Sequence, residues 1–143
     1  MRGAGTNHRS FVLDASVVLA WCFEDERGEY AESVLEIVEG TVDVYAPSIW
    51  PLELRNGFLV AERRKRITVA QSTSFIQKIR SFNVQIEFGG IEELDHALLF
   101  ARLYSLTVYD ATYLSLAYRR GLPLATLDSN LRRAAKDAGV DLL

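Results

Sequence analysis

Apolar positions follow two rhythms that alternate along this chain. Short apolar runs occupy residues 10–13, 42–46, 84–88 and 123–126, with a fifth candidate at 140–142, and Gly, Pro, Asn, Asp or Ser stand beside them. Runs of that length between turn residues predict strands. Between them, apolar residues recur every three or four positions. Glu29–Val38 places Tyr30, Val34, Ile37 and Val38 on one face and reaches a stop at Gly40. Trp50, Leu54, Phe58 and Ala61 mark a second helix, whose Pro51 is tolerable in the first turn, where backbone donors have no helical partner. Residues 69–82 and 91–103 read as two more helices, and residues 111–120 as another that ends at Gly121-Leu122-Pro123. Strands alternating with helices predict a parallel sheet covered on both faces, a three-layer α/β/α sandwich.

Composition narrows the class. With 143 residues, 49% of them hydrophobic, the chain suits one domain that buries roughly two-thirds of its unfolded surface. We expect residues 10–143 to form that domain and residues 1–9 to be a polar leader that need not be ordered. Cys22, in Leu19-Ala20-Trp21-Cys22-Phe23, has no partner for an internal disulfide and reads as a buried apolar residue, as in a reducing compartment. No segment approaches the roughly 20 apolar residues of a membrane span, and the leader lacks an apolar signal core. The expectation is a soluble cytoplasmic protein with no membrane partner.

The net charge of −3 argues against a nucleic-acid partner at first sight, because such partners are held by Lys and Arg. Distribution matters more than the sum. Basic residues cluster at Arg63-Arg64-Lys65-Arg66, Arg119-Arg120 and Arg132-Arg133, and 13 of the 16 are Arg, whose planar fork suits phosphate. Each cluster also falls near a predicted helix end or face, where basic side chains favour the macrodipole or simply face water.

Candidate chemistry lies in four acids far apart in the chain: Asp14, Glu53, Asp110 and Asp128. Each stands where a strand ends or a helix opens, the carboxyl edge at which open α/β sheets bind ligands. Asp110 and Asp128 are each open to two readings, since Asp is among the best helix N-caps. Glu53 has Arg55 nearby, so a local ion pair or a ligand role is available, and Asn56 shares its helix face. Asp14 ends a buried strand and must be compensated by a cation or by hydrogen bonds, of which Ser16 and backbone donors supply part. His8 and His96 fall in the leader and on a helix, and neither is expected to be catalytic.

In order, Val12-Leu13-Asp14-Ala15-Ser16, the Glu-x-x-Asn of Glu53 and Asn56, Val108-Tyr109-Asp110-Ala111 and the Thr-x-Asp of Thr126 and Asp128 make the chain resemble the PIN-domain ribonucleases, most closely VapC-type toxins of bacterial toxin-antitoxin pairs. The resemblance implies that Asp14, Glu53, Asp110 and Asp128 bind Mg²⁺ or Mn²⁺, supported by Ser16, Asn56 and Thr126. It implies an RNA substrate cut to a 5′-phosphate and a 3′-hydroxyl, a cognate antitoxin and a homodimer. Arg63, Arg64 and Arg66 are candidates for RNA contact. Gly57-Phe58 after Asn56 departs from the family's usual pattern, as does the leader. A receiver domain needs paired acids after its first strand, and a haloacid-dehalogenase-type phosphatase needs Asp where Ser16 stands. The alternative that survives is a PIN-like fold used as a non-catalytic RNA- or protein-binding module.

Overall fold

A computed structural model describes residues 10–143, so the expected leader and its His8 lie outside the described residues. Four strands, β1 (Phe11–Leu13), β2 (Val44–Pro47), β3 (Val84–Glu87) and β4 (Leu124–Ala125), pair in the order β3-β2-β1-β4, and every pairing is parallel. Phe11, Val12 and Leu13 have no exposed surface, as expected of a central strand covered on both faces. The expected fifth strand is a correction: residues 140–142 contribute one parallel bridge, Leu124 to Leu142, too short to be a strand. Residues 42–46 also shift register, since β2 starts at Val44 and runs through Pro47 to match Glu87 of β3.

Parallel strands require crossovers, and helices supply them. Helices α1 (Ala15–Cys22), α2 (Glu29–Val38), α3 (Trp50–Arg63) and α4 (Val69–Ser81) form one packed set, while α5 (Ile91–Tyr104), α6 (Val108–Arg120) and α7 (Ser129–Ala138) form another. Helix α6 lies directly on β1 and β2 and buries Ala111, Tyr113, Leu114, Leu116 and Ala117. Gly57 explains a sequence feature that looked out of pattern. A β-carbon there would come within 2.9 Å of the Leu19 methyls, so its absence lets α3 close on α1.

The helix boundaries carry one correction that bears on the site. Helix α6 begins at Val108, three residues before the expected start, because Thr107 is extended and its Oγ1 accepts from the Asp110 N–H at 3.1 Å. Asp110 is therefore a first-turn residue and not the N-cap. Asp128 does cap α7, accepting from the Leu131 N–H at 2.9 Å.

From β1 the chain moves outward to β2 and β3, then returns to place β4 on the other side of β1. The strand order reverses beside β1, and the crevice outside the carboxyl ends of β1 and β4 is where such a sheet binds ligands. Asp14 follows β1 and Thr126-Leu127-Asp128 follows β4.

Candidate active site

Asp14 is 6% exposed. Its position at the start of α1 offers a capping role that it does not take, because no backbone N–H of the helix bonds to its side chain. Oδ2 accepts instead from the Ser16 hydroxyl at 2.6 Å and the Thr126 hydroxyl at 2.7 Å. Ser16 Oγ also accepts from the Leu127 N–H at 3.0 Å, and Thr126 Oγ1 from the Asp128 N–H at 3.0 Å. The segments after β1 and β4 are thereby tied together around one carboxylate.

Glu53 reaches the same place from α3. The local ion pair with Arg55 does not form, since that guanidinium donates to the Pro51 carbonyl at 3.0 Å. Glu53 Oε1 accepts from the Tyr113 hydroxyl at 2.5 Å, a contact between α3 and α6. Tyr113 had no assigned role in the sequence. The available signal was its place three residues after Asp110, on the inward face of α6, where a buried phenol needs a partner for its O–H. Asn56, one turn beyond Glu53, is exposed, and among the described residues no hydrogen bond joins it to the acids.

Asp14, Glu53 and Asp110 each feel neighbouring acids. Burial raises the Asp14 pKa, the two hydroxyls pull it back, and Asp110 and Asp128 raise it further. Burial likewise raises Glu53 against the Tyr113 hydrogen bond, with Asp14 and Asp110 adding to the rise. Asp110 is raised by burial and then by Asp128. Tyr113 is held neutral by burial and by the neighbouring negative charge of Asp14 and Glu53, so it acts as a donor. No basic side chain figures among the groups that shift Asp14, Glu53 or Asp110. Among the described residues no salt bridge reaches these acids, and the Arg132 guanidinium beside them donates to the Thr126 carbonyl.

A hard divalent cation fits that donor set, which is carboxylate and hydroxyl oxygen throughout. Among the described residues, no three acidic, imidazole or thiol groups converge into a ready-made cage. Mg²⁺ does not need one, because it keeps several waters and is commonly bound through one or two carboxylates.

The other candidates fall elsewhere. Arg66 pairs with Asp25 at 2.8 Å and Glu26 at 3.0 Å and lies over the Phe23 ring, while Arg63 and Arg64 are exposed at the end of α3. Arg119 and Arg120 both pair with Glu87, and Arg132 donates to the Thr126 carbonyl at 2.9 Å, bracing the segment that carries Asp128. His96 Nδ1 and Ser115 Oγ are hydrogen-bonded at 2.7 Å between α5 and α6. Burial pushes the Cys22 thiol up to about 12, which keeps it unreactive.

Residues 11–137 match the PIN domain family. The chain belongs to that family. It is 27% identical over 121 residues, 84% of this chain and 90% of the relative, to Ribonuclease VapC3 of Pyrobaculum aerophilum. Among solved structures, VapBC2 of Rickettsia felis bound to a promoter DNA fragment aligns with a TM-score of 0.65 at 15% identity, over 94% of this chain and 97% of that one. VapC20 of Mycobacterium tuberculosis, described as a Sarcin-Ricin loop cleaving toxin, aligns with a TM-score of 0.64 at 14% identity, over 87% of this chain and 94% of that one. At those identities the structural likeness establishes the PIN fold, the α/β/α sandwich read from the sequence.

Proposed function

We propose that this PIN-domain protein is a metal-dependent endoribonuclease and the toxin of a toxin-antitoxin pair. Asp14, Glu53, Asp110 and Asp128 hold Mg²⁺ or Mn²⁺, with Ser16, Asn56 and Thr126 in support. The observation that carries this reading is Asp14, a buried acid at the point where strand order reverses, its pKa raised by burial and by Asp110 and Asp128, and itself raising that of Glu53. Keeping such a cluster costs stability, and a functional site is the usual reason to keep it. The relative from Pyrobaculum aerophilum is named a ribonuclease, which supports the reading.

When bound, the ion screens the phosphate's charge and acidifies a coordinated water. Hydrolysis adds water to the phosphorus and breaks its bond to the 3′ oxygen, leaving a 5′-phosphate and a 3′-hydroxyl. The protein's own part is to hold the acids still: Ser16 and Thr126 fix Asp14, Tyr113 fixes Glu53, and the α7 N-terminus fixes Asp128. Arg63, Arg64 and Arg66 supply RNA affinity.

Two protein partners follow. Solved structures of this fold include VapBC2 of Rickettsia felis and VapBC-5 of Mycobacterium tuberculosis, a member of the VapBC family of toxin-antitoxin systems, which supports a cognate antitoxin. A groove of about 210 Å³ lined by Trp50, Leu54, Phe58, Ile79 and Phe82, with Arg55 and Arg80 beside them, suits an apolar antitoxin segment carrying acidic residues. The Trp50 indole N–H is buried there without a hydrogen-bond partner. A second copy of the chain pairs through the exposed leucines of α5. No helix of the described residues is long and apolar enough to cross a membrane.

The test is cleavage of RNA by purified protein with Mg²⁺ or Mn²⁺, set against the same reaction in excess chelator, with Asp14→Asn as control. We expect cutting only with metal and wild-type protein. RNA binding without cutting in the presence of metal would favour the non-catalytic binding module, and equal cutting in chelator would remove the metal from the reading.

A further inference from the structure

The two innermost acids each have one oxygen engaged by hydroxyl donors. Asp14 Oδ2 receives both the Ser16 and the Thr126 hydroxyl, at 2.6 and 2.7 Å, and Glu53 Oε1 receives the Tyr113 hydroxyl at 2.5 Å. Among the described residues, no side-chain hydrogen bond reaches Asp14 Oδ1 or Glu53 Oε2. Each carboxylate oxygen has two lone pairs, so Asp14 Oδ2 is filled by its two donors, while Glu53 Oε1 keeps one and is the weaker ligand beside Oε2.

That restriction distinguishes one divalent ion from another. Ca²⁺ takes six to eight oxygens at flexible angles and accepts both oxygens of a carboxylate, whereas Mg²⁺ demands a small octahedron. Asp14 owes its restraint to residues next to it in the chain or in the sheet. Glu53 owes its restraint to a residue 60 positions away on another helix. Tyr113 is 0% exposed, so its ring is core that Phe would fill equally well, and the hydroxyl is the only part that reaches a charged group.

We propose that Tyr113 is a positioning residue that sets the metal preference of the site. By donating to Oε1 it holds Glu53 in one orientation and biases it toward contact through Oε2, which disfavours Ca²⁺ relative to Mg²⁺ and Mn²⁺. The inference rests on the metal-site reading above and adds a determinant of selectivity to it.

Binding of Mg²⁺, Mn²⁺ and Ca²⁺ to the full chain, measured by calorimetry without RNA, tests this. Outer partners of metal ligands typically contribute about 10- to 100-fold in affinity. Tyr113→Phe should weaken Mg²⁺ within that range and shift the ratio of Ca²⁺ to Mg²⁺ affinity toward Ca²⁺ by about tenfold or more. Tyr113→Met, also without a hydroxyl, should shift it in the same direction and serves where Tyr113→Phe does not fold. Because Tyr113 acts through Glu53, Tyr113→Phe placed in a Glu53→Gln background should leave the ratio unchanged.

A wild-type ratio in both hydroxyl-free variants overturns the inference while leaving the metal site standing. So does an equal shift in the Glu53→Gln background, which would assign the effect to general loosening. Failure of the wild type to bind any of the three ions overturns the site reading itself, and the inference falls with it.

Discussion

Asp110 occupies the first turn of α6 with Thr107 as its cap, so capping and charge can be varied separately. Thr107→Ala removes the acceptor for the Asp110 N–H and should cost about 1 kcal/mol in chemical denaturation while metal-dependent cleavage persists. Asp110→Asn acts oppositely on both counts. Close carboxylates repel by a few kcal/mol at an effective dielectric of about 20, which outweighs the roughly 0.3–1 kcal/mol a first-turn acid gains from the macrodipole. Without metal, Asp110→Asn should therefore melt higher than wild type, Mg²⁺ should protect it less, and cleavage should fall by orders of magnitude. Wild-type cleavage in Asp110→Asn would refute a ligand role. The same electrostatics predicts a pH effect. Asp14, Glu53 and Asp110 have folded pKa values above their ordinary 3.8, 4.5 and 3.8. Stability from groups raised in this way is fully present below the unfolded value and is lost as pH rises through the folded value. Glu93, lowered by backbone hydrogen bonds at the start of α5, acts in the opposite sense. Comparison with Asp14→Asn isolates the site: in chelator, wild type should lose more melting temperature than the variant as pH climbs from about 4 to 7. Parallel melting curves for the two proteins would contradict it.

Helices and strands were legible to the extent that local pattern decides them. The apolar runs located all four strands, but their ends follow pairing between strands: Pro47 joins β2 only because Glu87 stands opposite it. At the start of α6, Asp110 before Ala111 has the look of a cap, but Thr107, three residues upstream, takes that role and accepts from the Asp110 N–H. The acids were legible as a set because each follows a strand or opens a helix. Tyr113 was not, since its partner lies 60 residues away and no spacing rule joins α3 to α6. Gly57 tests that junction from the packing side. Gly57→Val would drive a branched side chain into the Leu19 methyls, and unless Leu19 turns aside it pushes α3, with Glu53, off α1, where Asp14 sits at the opening turn. The expected cost is about 1–3 kcal/mol, with weakened Mg²⁺ binding. Unchanged stability and Mg²⁺ affinity would show that the α1–α3 approach does not position the acids. The Arg63 to Arg66 run divides in the same way. Each phosphate contact contributes close to 1 to the salt slope, so replacing Arg63 and Arg64 by Gln should reduce the slope of RNA binding by about 2. Arg66→Gln, which breaks the pairs to Asp25 and Glu26, should change it less. An equal slope in all three proteins would return these residues to a solvated helix end.

At the scale of the molecule, strand order placed Asp14 and Asp128 at one crevice, and no local pattern states that order, because it depends on which strand returns beside β1. The outer surface carries a second arrangement visible only in the fold. Ile91, Leu94, Leu98, Leu99 and Leu103 are exposed on α5, while Asp95 and Arg102 lie among them on the same side of the helix. Exposed leucines in this number on one helix are the surface on which the proposed pairing of two copies would rest. Asp95 and Arg102 are seven positions apart, and their midpoint falls between Leu98 and Leu99. If a second copy lays its α5 antiparallel across that midpoint, Asp95 faces the partner's Arg102, Leu94 faces the partner's Leu103, and both charge pairs form by symmetry. An isologous interface needs this self-complementarity. Sedimentation equilibrium should then give a dimer for wild type and a monomer for Leu98→Glu. Asp95→Arg alone sets like charges against each other twice and should weaken the dimer by roughly tenfold or more. Adding Arg102→Asp to it restores opposite charges and should recover most of that affinity. A double swap no tighter than the single change would rule out this register, and a monomeric wild type would remove the α5 face from the assembly altogether.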